Sequence, residues 1–516
     1  MKFNFLNTGK SKVTNHEGEQ AYKLSPAWQL YTAAVTSGLS DSFYESASTR
    51  LEHIRNLIVH NDPEFVARLA VYTRTRMNLR SIPLVLAVEL ARVHRGDQTV
   101  RKTVAGIIQR VDEITELLAY YQMANDRQTM KKLNKLSKQI QYGLEEAFNR
   151  FDEYQFAKYN RATEVKLRDA LFLVHPKAKD EEQQQLFDKI VNGSLETPYT
   201  WETELSTLGQ AKYPTEKARR DAFRHKWEEL IDSGKVGYMA LMRNLRNLLD
   251  AAVSEEHIAK VCRMLASPEA VRRSKQLPFR YLAAYREISK VKSVYAGCIL
   301  DALEQAVSVS AASIKGFDSG TSVLLACDVS GSMQRAVSPK SSILAYDIGL
   351  MLAMLLKSRC QKAVTGMFGD SWKIINVPSQ GVLANVDAFY RREGEVGYST
   401  NGYLVLEDLL NRKERIDKIM IFTDCQLWNS RNDTKITAVW NKYKEISPDS
   451  RLYLFDLSGY GTTPLDIVRD DVFLIAGWSD KVFDILSAID KGGDALSEIN
   501  SIELGTPPAC NLAFSQ

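Results

Sequence analysis

The spacing of hydrophobic residues changes near residue 316, and this change constrains the fold more than any other feature of the sequence. From about Pro26 to Val309 apolar residues recur at helical intervals, as in Leu241, Leu245 and Leu248. Helices of roughly 12 to 20 residues joined by short turns are typical of stacked helical repeats. The sequence shows no fixed period, so any such repeat is degenerate. We therefore predict an all-helical first part built from helix pairs.

Beyond residue 320 short β-branched and apolar runs alternate with helical stretches. The predicted strands are 322–326, 363–368, 416–423, 452–455 and 472–475, and the predicted helices are 342–356, 401–410, 434–443 and 481–489. Such alternation predicts a parallel, doubly wound sheet, which binds ligands at the carboxyl ends of its strands. The predicted organisation is an N-terminal segment (1–25), a helical-repeat domain (26–315) and an α/β domain (320–516).

The composition is that of an ordinary globular protein, with 45% hydrophobic and 25% charged residues in 516. No apolar run follows a basic start, and none approaches the roughly 18 residues of a membrane helix, so neither a secretory signal nor a membrane anchor is expected. The six cysteines are scattered and include no C-x-x-C pair. We expect reduced, mostly buried thiols in a cytoplasmic protein.

The net charge divides unevenly along the chain. Residues 1–320 carry 47 Lys and Arg against 39 Asp and Glu, which gives +8, and the remainder carries 20 against 24, which gives −4. All seven histidines also lie in the first part, the last being His257. Two chemically different halves therefore share one chain.

A candidate metal site follows the first predicted strand of the α/β domain. The apolar run Val323–Cys327 ends directly in Asp328-Val329-Ser330-Gly331-Ser332. One carboxylate and two hydroxyls on a tight loop supply the hard oxygen ligands that Mg²⁺ or Mn²⁺ prefers. Thr400 before a predicted helix and Asp424 after a predicted strand add two more oxygen ligands.

This loop has two other interpretations. Its hydroxyls could simply cap the next helix. It could also belong to a hydrolase, but the loop is not G-x-S-x-G, no histidine follows His257, and no Walker-type nucleotide loop is present. We therefore expect binding rather than catalysis at this loop.

These residues resemble the von Willebrand factor A domain and its metal-ion-dependent adhesion site. The D-x-S-x-S element is matched in full, and the later Thr and Asp are in place. The resemblance implies that Ser330, Ser332 and Thr400 coordinate the ion directly, whereas Asp328 and Asp424 act directly or through water. It also implies an ion that can accept a carboxylate from a partner.

Basic residues cluster at four places in the helical part, and aromatic residues accompany some of them. The candidate RNA-binding residues are Lys131, Lys132, Lys135, Lys138, Lys158, Arg161, Lys166, Arg168, Arg272, Arg273, Lys275 and Arg280, and a further cluster comprises Arg74, Arg76 and Arg80. Such clusters suit phosphate contacts, and aromatic rings suit stacking on unpaired bases. Each cluster alone is more typical of a solvated helix face than of an RNA-binding site.

Several stretches of the helical part resemble the TROVE module of the Ro ribonucleoprotein family, in a form closer to its bacterial members. The stretches are Leu69–Pro83, Phe148–Tyr159, Trp227–Leu245 and Leu277–Arg280. A TROVE module followed by a von Willebrand A domain is the Ro architecture, so the resemblance spans nearly the whole chain. It implies HEAT-like helical repeats closed into a monomeric ring.

The resemblance implies a non-catalytic protein of RNA quality control. Y-like noncoding RNA would bind the outer basic surface, and single-stranded ends of misfolded RNA would thread the central hole. The partner nuclease of bacterial relatives is polynucleotide phosphorylase. Lys158 and Arg161 match the family's K-Y-x-x-R segment, and Arg168-Asp169 matches its later Lys-Asp. Leu167 stands where animal members have a histidine that contacts Y RNA, which puts that contact in doubt.

Two alternatives remain open from the sequence. The chain could be a protein-binding adaptor whose magnesium site captures an acidic side chain of a partner. It could also be an RNA-processing enzyme with dispersed carboxylates, although no acidic cluster or histidine pair at catalytic spacing is visible in the basic half.

Overall fold

The computed structural model describes residues 12–37, 44–125, 136–312, 314–315, 317, 320–338, 341–428 and 436–505. Lys131, Lys132, Lys135 and Cys510 lie outside the described residues. Within the described chain, no helix is both long enough and apolar enough to span a membrane.

The described residues of the chain divide into two compact units. The sheet unit comprises Met1–Leu57, Leu277–Ala283 and Glu304–Glu498, and the helical unit comprises Ile58–Gln276, Ala284–Leu303 and Ile499–Gln516. The sheet unit thus includes the N-terminal segment and the residues up to Leu57 together with the predicted α/β domain. The predicted helical-repeat domain instead begins at residue 26.

Helices account for nearly all regular structure between residues 26 and 311. They are α1 Pro26–Val35, α2 Ala47–Val59, α3 Pro63–Thr75, α4 Ser81–Val93, α5 Thr99–Ile107, α6 Val111–Ala124, α7 Lys138–Phe148, α8 Glu153–Tyr159, α9 Leu167–Val174, α10 Glu181–Asn192, α11 Trp201–Gln210, α12 Glu216–Asp232, α13 Tyr238–Arg243, α14 Leu245–Asp250, α15 Glu255–Ala266, α16 Pro268–Ser274, α17 Pro278–Ile288 and α18 Ala296–Ala311. The all-helical prediction for this region is confirmed.

Turn chemistry fixes the starts of several helices in the helical unit. At α3, Asp62 accepts a hydrogen bond from the Phe65 N–H and Pro63 occupies the first turn. At α8, the Asp152 carboxylate caps the Gln155 N–H while the Gln155 side chain accepts from the Asp152 N–H. α3 packs against α4 and α5, and α6 packs against α8 and α9. These contacts bring α6 and the α8–α9 segment together.

The sheet unit contains two sheets. Their strands are β1 Lys12–Thr14, β2 Gln20–Lys23, β3 Ser322–Asp328, β4 Lys362–Phe368, β5 Trp372–Ile374, β6 Lys418–Thr423, β7 Arg451–Asp456, β8 Thr462–Thr463 and β9 Val472–Ala476. The larger sheet has the order β5-β4-β3-β6-β7-β9, and the smaller antiparallel sheet has the order β1-β2-β8. In the larger sheet only β5 runs antiparallel to its neighbour, β4.

Helices complete the sheet unit. They are α19 Ala345–Lys357, α20 Val382–Tyr390, α21 Tyr403–Arg412, α22 Ile436–Ile446, α23 Val482–Asp490 and α24 Ala495–Asn500. α19 is buried along all but its last residue and packs on β3, β4, β6 and α20. The central strands are buried on both faces, which explains their continuous apolar runs.

The strand and helix positions predicted for the α/β domain are confirmed to within a few residues, but the sheet is mixed rather than wholly parallel. β5 is a short edge strand that follows β4 through a tight turn and pairs with it from Phe368↔Trp372 to Gly366↔Ile374. Two antiparallel strands can be joined by a turn of only a few residues. Because β5 has only three residues and is half-buried, it leaves little pattern in the sequence. The sequence also missed α20 and the smaller sheet.

The five cysteines in the described ranges are free thiols, and three of them are buried: Cys327, Cys360 and Cys425. Two others, Cys262 on α15 and Cys298 on α18, come together with their sulfur atoms 3.8 Å apart, although they are far apart in sequence. Burial raises the pKa of the Cys262 thiol to about 12, and the neighbouring Cys298 thiol adds to the rise.

Candidate metal site and candidate nucleic-acid interface

Asp328 lies at the carboxyl end of β3, between β4 and β6 in the middle of the larger sheet. Its side chain is buried, and it accepts hydrogen bonds from the Ser330 N–H at 2.9 Å and the Thr423 hydroxyl at 2.6 Å. Burial raises the pKa of the Asp328 carboxyl, and the nearby carboxyl of Asp424 raises it further. The fold thus holds this carboxylate rigidly at the predicted site.

The two serines and Thr400 bring hydroxyls to the same end of the sheet. The Ser330 and Ser332 hydroxyl oxygens are 3.2 Å apart and both side chains are buried. The Gly331 N–H donates to the Tyr398 carbonyl at 3.1 Å, which joins the loop to the segment that carries Thr400. Thr400 is buried, and its hydroxyl oxygen accepts from the Trp428 N–H at 2.9 Å.

Asp424 follows β6 and is fully buried. One carboxylate oxygen, Oδ1, accepts from the Gln426 N–H at 3.0 Å, whereas Oδ2 has no hydrogen-bond partner among the described residues. Burial raises the pKa of Asp424, while the Ser332 hydroxyl, the Gln426 N–H and Arg335 oppose the rise. A buried carboxylate oxygen without a partner is costly unless another group compensates for it.

The donor set fits a hard divalent cation. Within the described ranges, no three His, Cys, Asp or Glu side chains group together as a metal site. An ion here would therefore depend on the three hydroxyls as well as on Asp328 and Asp424. Such an ion would offset the repulsion between the two buried carboxylates and would compensate Asp424 Oδ2. The metal itself remains a prediction.

Two side chains that the sequence did not single out lie at the same site. Glu17, in the turn between β1 and β2, and Tyr44 both lie close enough to Asp424 to influence the titration of the cluster. Both are separated from Asp424 by most of the chain, and neither belongs to a recognisable motif. Only the folded arrangement of the sheet unit identifies them.

The helical unit carries a partly exposed group of cations and aromatic rings, which we call the Tyr159 surface: Arg110, Tyr154, Lys158, Tyr159 and Arg161. The Arg110 guanidinium lies 4.4 Å from the centre of the Tyr159 ring. The Lys158 ammonium lies 5.5 Å from the Tyr154 ring centre and 5.9 Å from that of Tyr159. Arg161 is exposed in the turn that follows α8. Cations over ring faces keep both groups presented together.

The titration of the Tyr159 surface reflects its excess of positive charge. Partial burial lowers the pKa of Lys158, and the positive charges of Arg110 and Arg161 lower it further, while Glu202 opposes them. Partial burial raises the pKa of Tyr159, and Arg110 opposes that rise. Three cations thus influence one another within a small area, which suits a polyanionic ligand.

The α8–α9 segment continues this surface. Lys166 and Arg168 are exposed at the start of α9, and the Arg168 guanidinium lies 5.6 Å from the ring centre of Phe172, which is 47% exposed. Leu167, between them, is buried in the core. The residue that replaces the family's histidine therefore packs internally and presents no side chain to a ligand.

The remaining candidate residues are placed separately. Lys138 is exposed at the start of α7 and donates to the Gln141 side chain at 2.9 Å. Arg272, Arg273 and Lys275 are exposed at the end of α16, and Arg273 pairs with Glu269 at 2.9 Å. Arg280 is exposed on α17, in the sheet unit. Their role in RNA binding stays a prediction.

Arg74 is not available for the phosphate contact that its cluster suggested. Its side chain is buried, and its guanidinium is 2.7 Å from the Glu113 carboxylate, which is fully buried. Arg80 also pairs with Asp112 at 3.0 Å. This cluster therefore stabilises the packing of α3 against the start of α6, because a buried cation needs a nearby counter-charge.

Known proteins share the helical region and the fold. The sequence model of the TROVE domain matches residues 30–221 and 193–296. Telomerase protein component 1 of Rattus norvegicus is 24% identical over 310 residues, covering 45% of this chain and 11% of that protein. The protein of the same name from Mus musculus is 25% identical over 310 residues, with the same coverage. The chain thus spans about a tenth of the length of these relatives.

A solved structure resembles nearly the whole chain. The crystal structure of the Deinococcus radiodurans Ro (RSR) protein matches with a TM-score of 0.57 and 17% identity, covering 91% of this chain and 100% of that one. At this level of identity the match shows a shared fold.

Proposed function

Because the chain belongs to the TROVE domain family, we propose that it is an RNA-binding component of ribonucleoprotein particles. The observation that carries this proposal is the Tyr159 surface, where Arg110 and Lys158 lie over the half-buried Tyr159 ring, Lys158 also lies over the exposed Tyr154 ring, and Arg161 is exposed in the following loop. Cations beside rings suit RNA because the cations contact phosphates and the rings stack on unpaired bases. Arg168 and Phe172 extend the same chemistry along α9.

The proposed ligands are small structured Y-like RNAs and misfolded RNAs with single-stranded ends. The protein would present these RNAs to a partner exoribonuclease such as polynucleotide phosphorylase, and it would not itself cleave them. Its second region would be a von Willebrand A-type domain with the sheet order and metal loop described above. Support for these finer assignments comes from the sequence motifs and from membership of the family.

Charge reversal at the Tyr159 surface tests the proposal. The double variant Lys158→Glu/Arg161→Glu should bind a hairpin RNA with a single-stranded 3′ end roughly 100-fold more weakly at fixed salt, because two phosphate contacts become repulsions. The slope of log affinity against log salt should fall by roughly 0.7 for each phosphate that the protein no longer neutralises. Fluorescence anisotropy measures both quantities. Sequencing of RNA that copurifies with the wild-type protein would then identify the natural ligand.

The matched control is Arg391→Glu, which reverses an exposed arginine in the acidic sheet unit. It changes the net charge by the same amount per substitution and should leave RNA affinity within about twofold of wild type. Equal losses of affinity in the double variant and the control would contradict a specific RNA surface in the helical unit.

A second candidate function is favoured by the unpartnered Oδ2 of Asp424. We propose as the alternative that the metal loop captures an acidic side chain of a protein partner. Asp328, Ser330, Ser332, Thr400 and Asp424 would hold the ion, and a Mg²⁺ ion held largely by hydroxyls would supply the electrophile that accepts the partner's carboxylate. Two exposed rings lie near Thr400: Tyr398 is two residues before it in sequence, and the Trp428 N–H donates a hydrogen bond to its hydroxyl. Both rings would widen the contact with the partner.

A further inference from the structure

The hairpin formed by β1 and β2 is fastened to the loop that carries Asp424. The Asn15 side-chain amide donates to the Leu427 carbonyl at 3.0 Å, and the His16 N–H donates to the Gln426 side chain at 2.9 Å. β2 also pairs with β8, at Tyr22↔Thr463 and Lys23↔Thr462. Residues near the start of the chain are therefore built into the metal-loop end of the sheet unit.

The turn of this hairpin has a fixed shape, which determines where Glu17 lies. The Asn15 side-chain oxygen accepts from the N–H groups of Glu17 at 3.1 Å and Glu19 at 2.9 Å. Gly18 has a φ of +84°, which a glycine adopts without strain, and its N–H donates to the Asn15 carbonyl at 3.1 Å. Because Asn15 is itself buried, the turn cannot shift without breaking these contacts.

The Glu17 side chain is held next to the metal loop. The Tyr44 phenol donates a hydrogen bond to Glu17 Oε1 and lies beside the Ser332 hydroxyl. The His16 ring stacks on the Tyr44 ring with their centres 4.6 Å apart, and Tyr460 packs edge-on against both rings. Three aromatic rings thus fix the phenol that bridges Glu17 and Ser332.

This placement brings Glu17 near the end of the sheet where two carboxylates are buried, but while Glu17 is bonded to the Tyr44 phenol the three acidic side chains do not group together as a metal site. The hydrogen bonds of Asn15 and His16 to Leu427 and Gln426 keep the turn that carries Glu17 against the loop that follows Asp424. Like charges gathered at low dielectric repel unless a cation lies among them. A divalent ion at the loop would turn this repulsion into attraction for all three carboxylates.

We propose that Glu17 is the chain's own carboxylate ligand for the divalent ion at the Asp328–Ser332 loop, in the place that a partner's acidic side chain would otherwise take. The inference rests on the proposed metal site. The Glu17 side chain would turn from the Tyr44 phenol towards Asp424 when the ion binds. A partner carboxylate could then reach the ion only by displacing the hairpin's glutamate.

Mn²⁺ binding to the full chain tests this inference. Glu17→Gln preserves the size of the side chain and should lower Mn²⁺ affinity about tenfold by calorimetry, since it removes one anionic oxygen ligand. Water proton relaxation should show one additional exchangeable water on the bound Mn²⁺. Acetate should restore part of the affinity in this variant and should have no effect on the wild-type protein.

Two matched variants separate ligation from other roles of Glu17. Glu19→Gln removes the same charge from the same turn and should leave Mn²⁺ affinity and hydration unchanged. Tyr44→Phe removes the hydrogen bond that competes for Glu17, so it should keep or raise the affinity. A decrease in affinity in Tyr44→Phe equal to that in Glu17→Gln would mean that the pair only supports the loop, which would overturn the inference.

The remaining outcomes distinguish the inference from the metal site itself. If the wild-type protein binds Mn²⁺, Asp328→Ala does not, and Glu17→Gln behaves as wild type, then the metal site stands and the role of Glu17 is wrong. If the wild-type protein binds no Mn²⁺, both proposals are overturned. Thermal unfolding of each variant shows whether the hairpin remains folded.

Discussion

The metal loop and the Tyr159 surface position polar groups in opposite ways. At the metal loop, Asp328, Ser330 and Asp424 are buried, and hydrogen bonds from neighbouring backbone or side chains hold Asp328 and Asp424 in place. At the Tyr159 surface, Arg161 is exposed, and Arg110 is held by two hydrogen bonds to the Asp112 carboxylate as well as by contact with the Tyr159 ring. A buried polar site loses stability when its ligand is absent, whereas an exposed cationic site remains hydrated.

This difference indicates two kinds of ligand. The metal loop offers a small volume surrounded by oxygen atoms, which suits a single ion. The affinity for such an ion falls strongly when one ligand is removed. The Tyr159 surface offers distributed charge, which suits a long polyanion whose affinity depends on salt. The two regions should therefore respond to different substitutions, and variants of one should leave the function of the other intact.

The largest expected effect is on ion binding. Asp328→Ala should lower Mn²⁺ affinity by at least roughly 100-fold, because it removes an anionic ligand from the centre of the site. Asp328→Asn, which keeps the shape and the acceptor for the Ser330 N–H, should lower the affinity by a similar amount. RNA affinity should remain within about twofold of wild type in both variants. Calorimetry and anisotropy on the full chain measure the two affinities.

The reciprocal control is Lys158→Glu/Arg161→Glu, which should keep full Mn²⁺ affinity. Weaker RNA binding in Asp328→Asn, with thermal unfolding unchanged, would show that the two regions are energetically linked. Capture of a protein partner in Mg²⁺ by the wild-type chain, and its release by Asp328→Ala, would favour the adaptor function over the RNA-binding function.

The parts of the fold that depend on local sequence could be predicted. β3 and Asp328–Ser332 form one continuous stretch, so the apolar run and the hydroxyl spacing indicate both the strand and the loop after it. Thr400 and Asp424 could also be predicted as ligands, because Thr400 lies just before a predicted helix and Asp424 just after a predicted strand. By contrast, β5 has three residues and β8 has two, which is too short to give a period-2 pattern.

The contributions of distant residues could not be predicted. The turn that carries Glu17 lies near the metal loop because Asn15 and His16 bind the loop after β6, more than 400 residues away in sequence. Arg110 joins the Tyr159 surface because α6 packs on α8. The fold also makes Arg74 on α3 a partner of the buried Glu113 on α6, although the spacing of Arg74 suggested an exposed basic cluster. The spacing of charged residues alone does not distinguish a buried ion pair from an exposed basic cluster.

The next effect concerns the pH dependence of stability, which should arise from the buried acids of the sheet unit. Burial raises the pKa of Asp456, at the end of β7, to about 6. The folded state therefore binds this proton more tightly than the unfolded state, where a pKa near 3.9 is usual. The contribution of Asp456 to stability should be greatest below about pH 4 and should fall by roughly 3 kcal/mol as the pH rises through about 6.

Asp456→Asn removes this titration while keeping an acceptor for the N–H groups of Ser458 and Gly459. In metal-free buffer, the variant should therefore lose less stability than the wild type between about pH 4 and pH 6. Thermal unfolding of the sheet unit across this range measures the difference. Parallel pH profiles for the two proteins would show that Asp456 is not a source of the pH dependence.

The smallest expected effect concerns the aromatic part of the RNA surface. Tyr159→Ala should weaken binding of single-stranded RNA by about 1–2 kcal/mol, because a stacked base contributes on this order. The substitution also removes the ring that lies beside the Arg110 guanidinium, while the hydrogen bonds from Arg110 to Asp112 remain. Tyr159→Phe keeps the ring and should bind as the wild type does, as measured by anisotropy at fixed salt. If Tyr159→Ala also binds normally, RNA would be held at this surface by charge alone, and the contrast with the directional metal loop would become sharper.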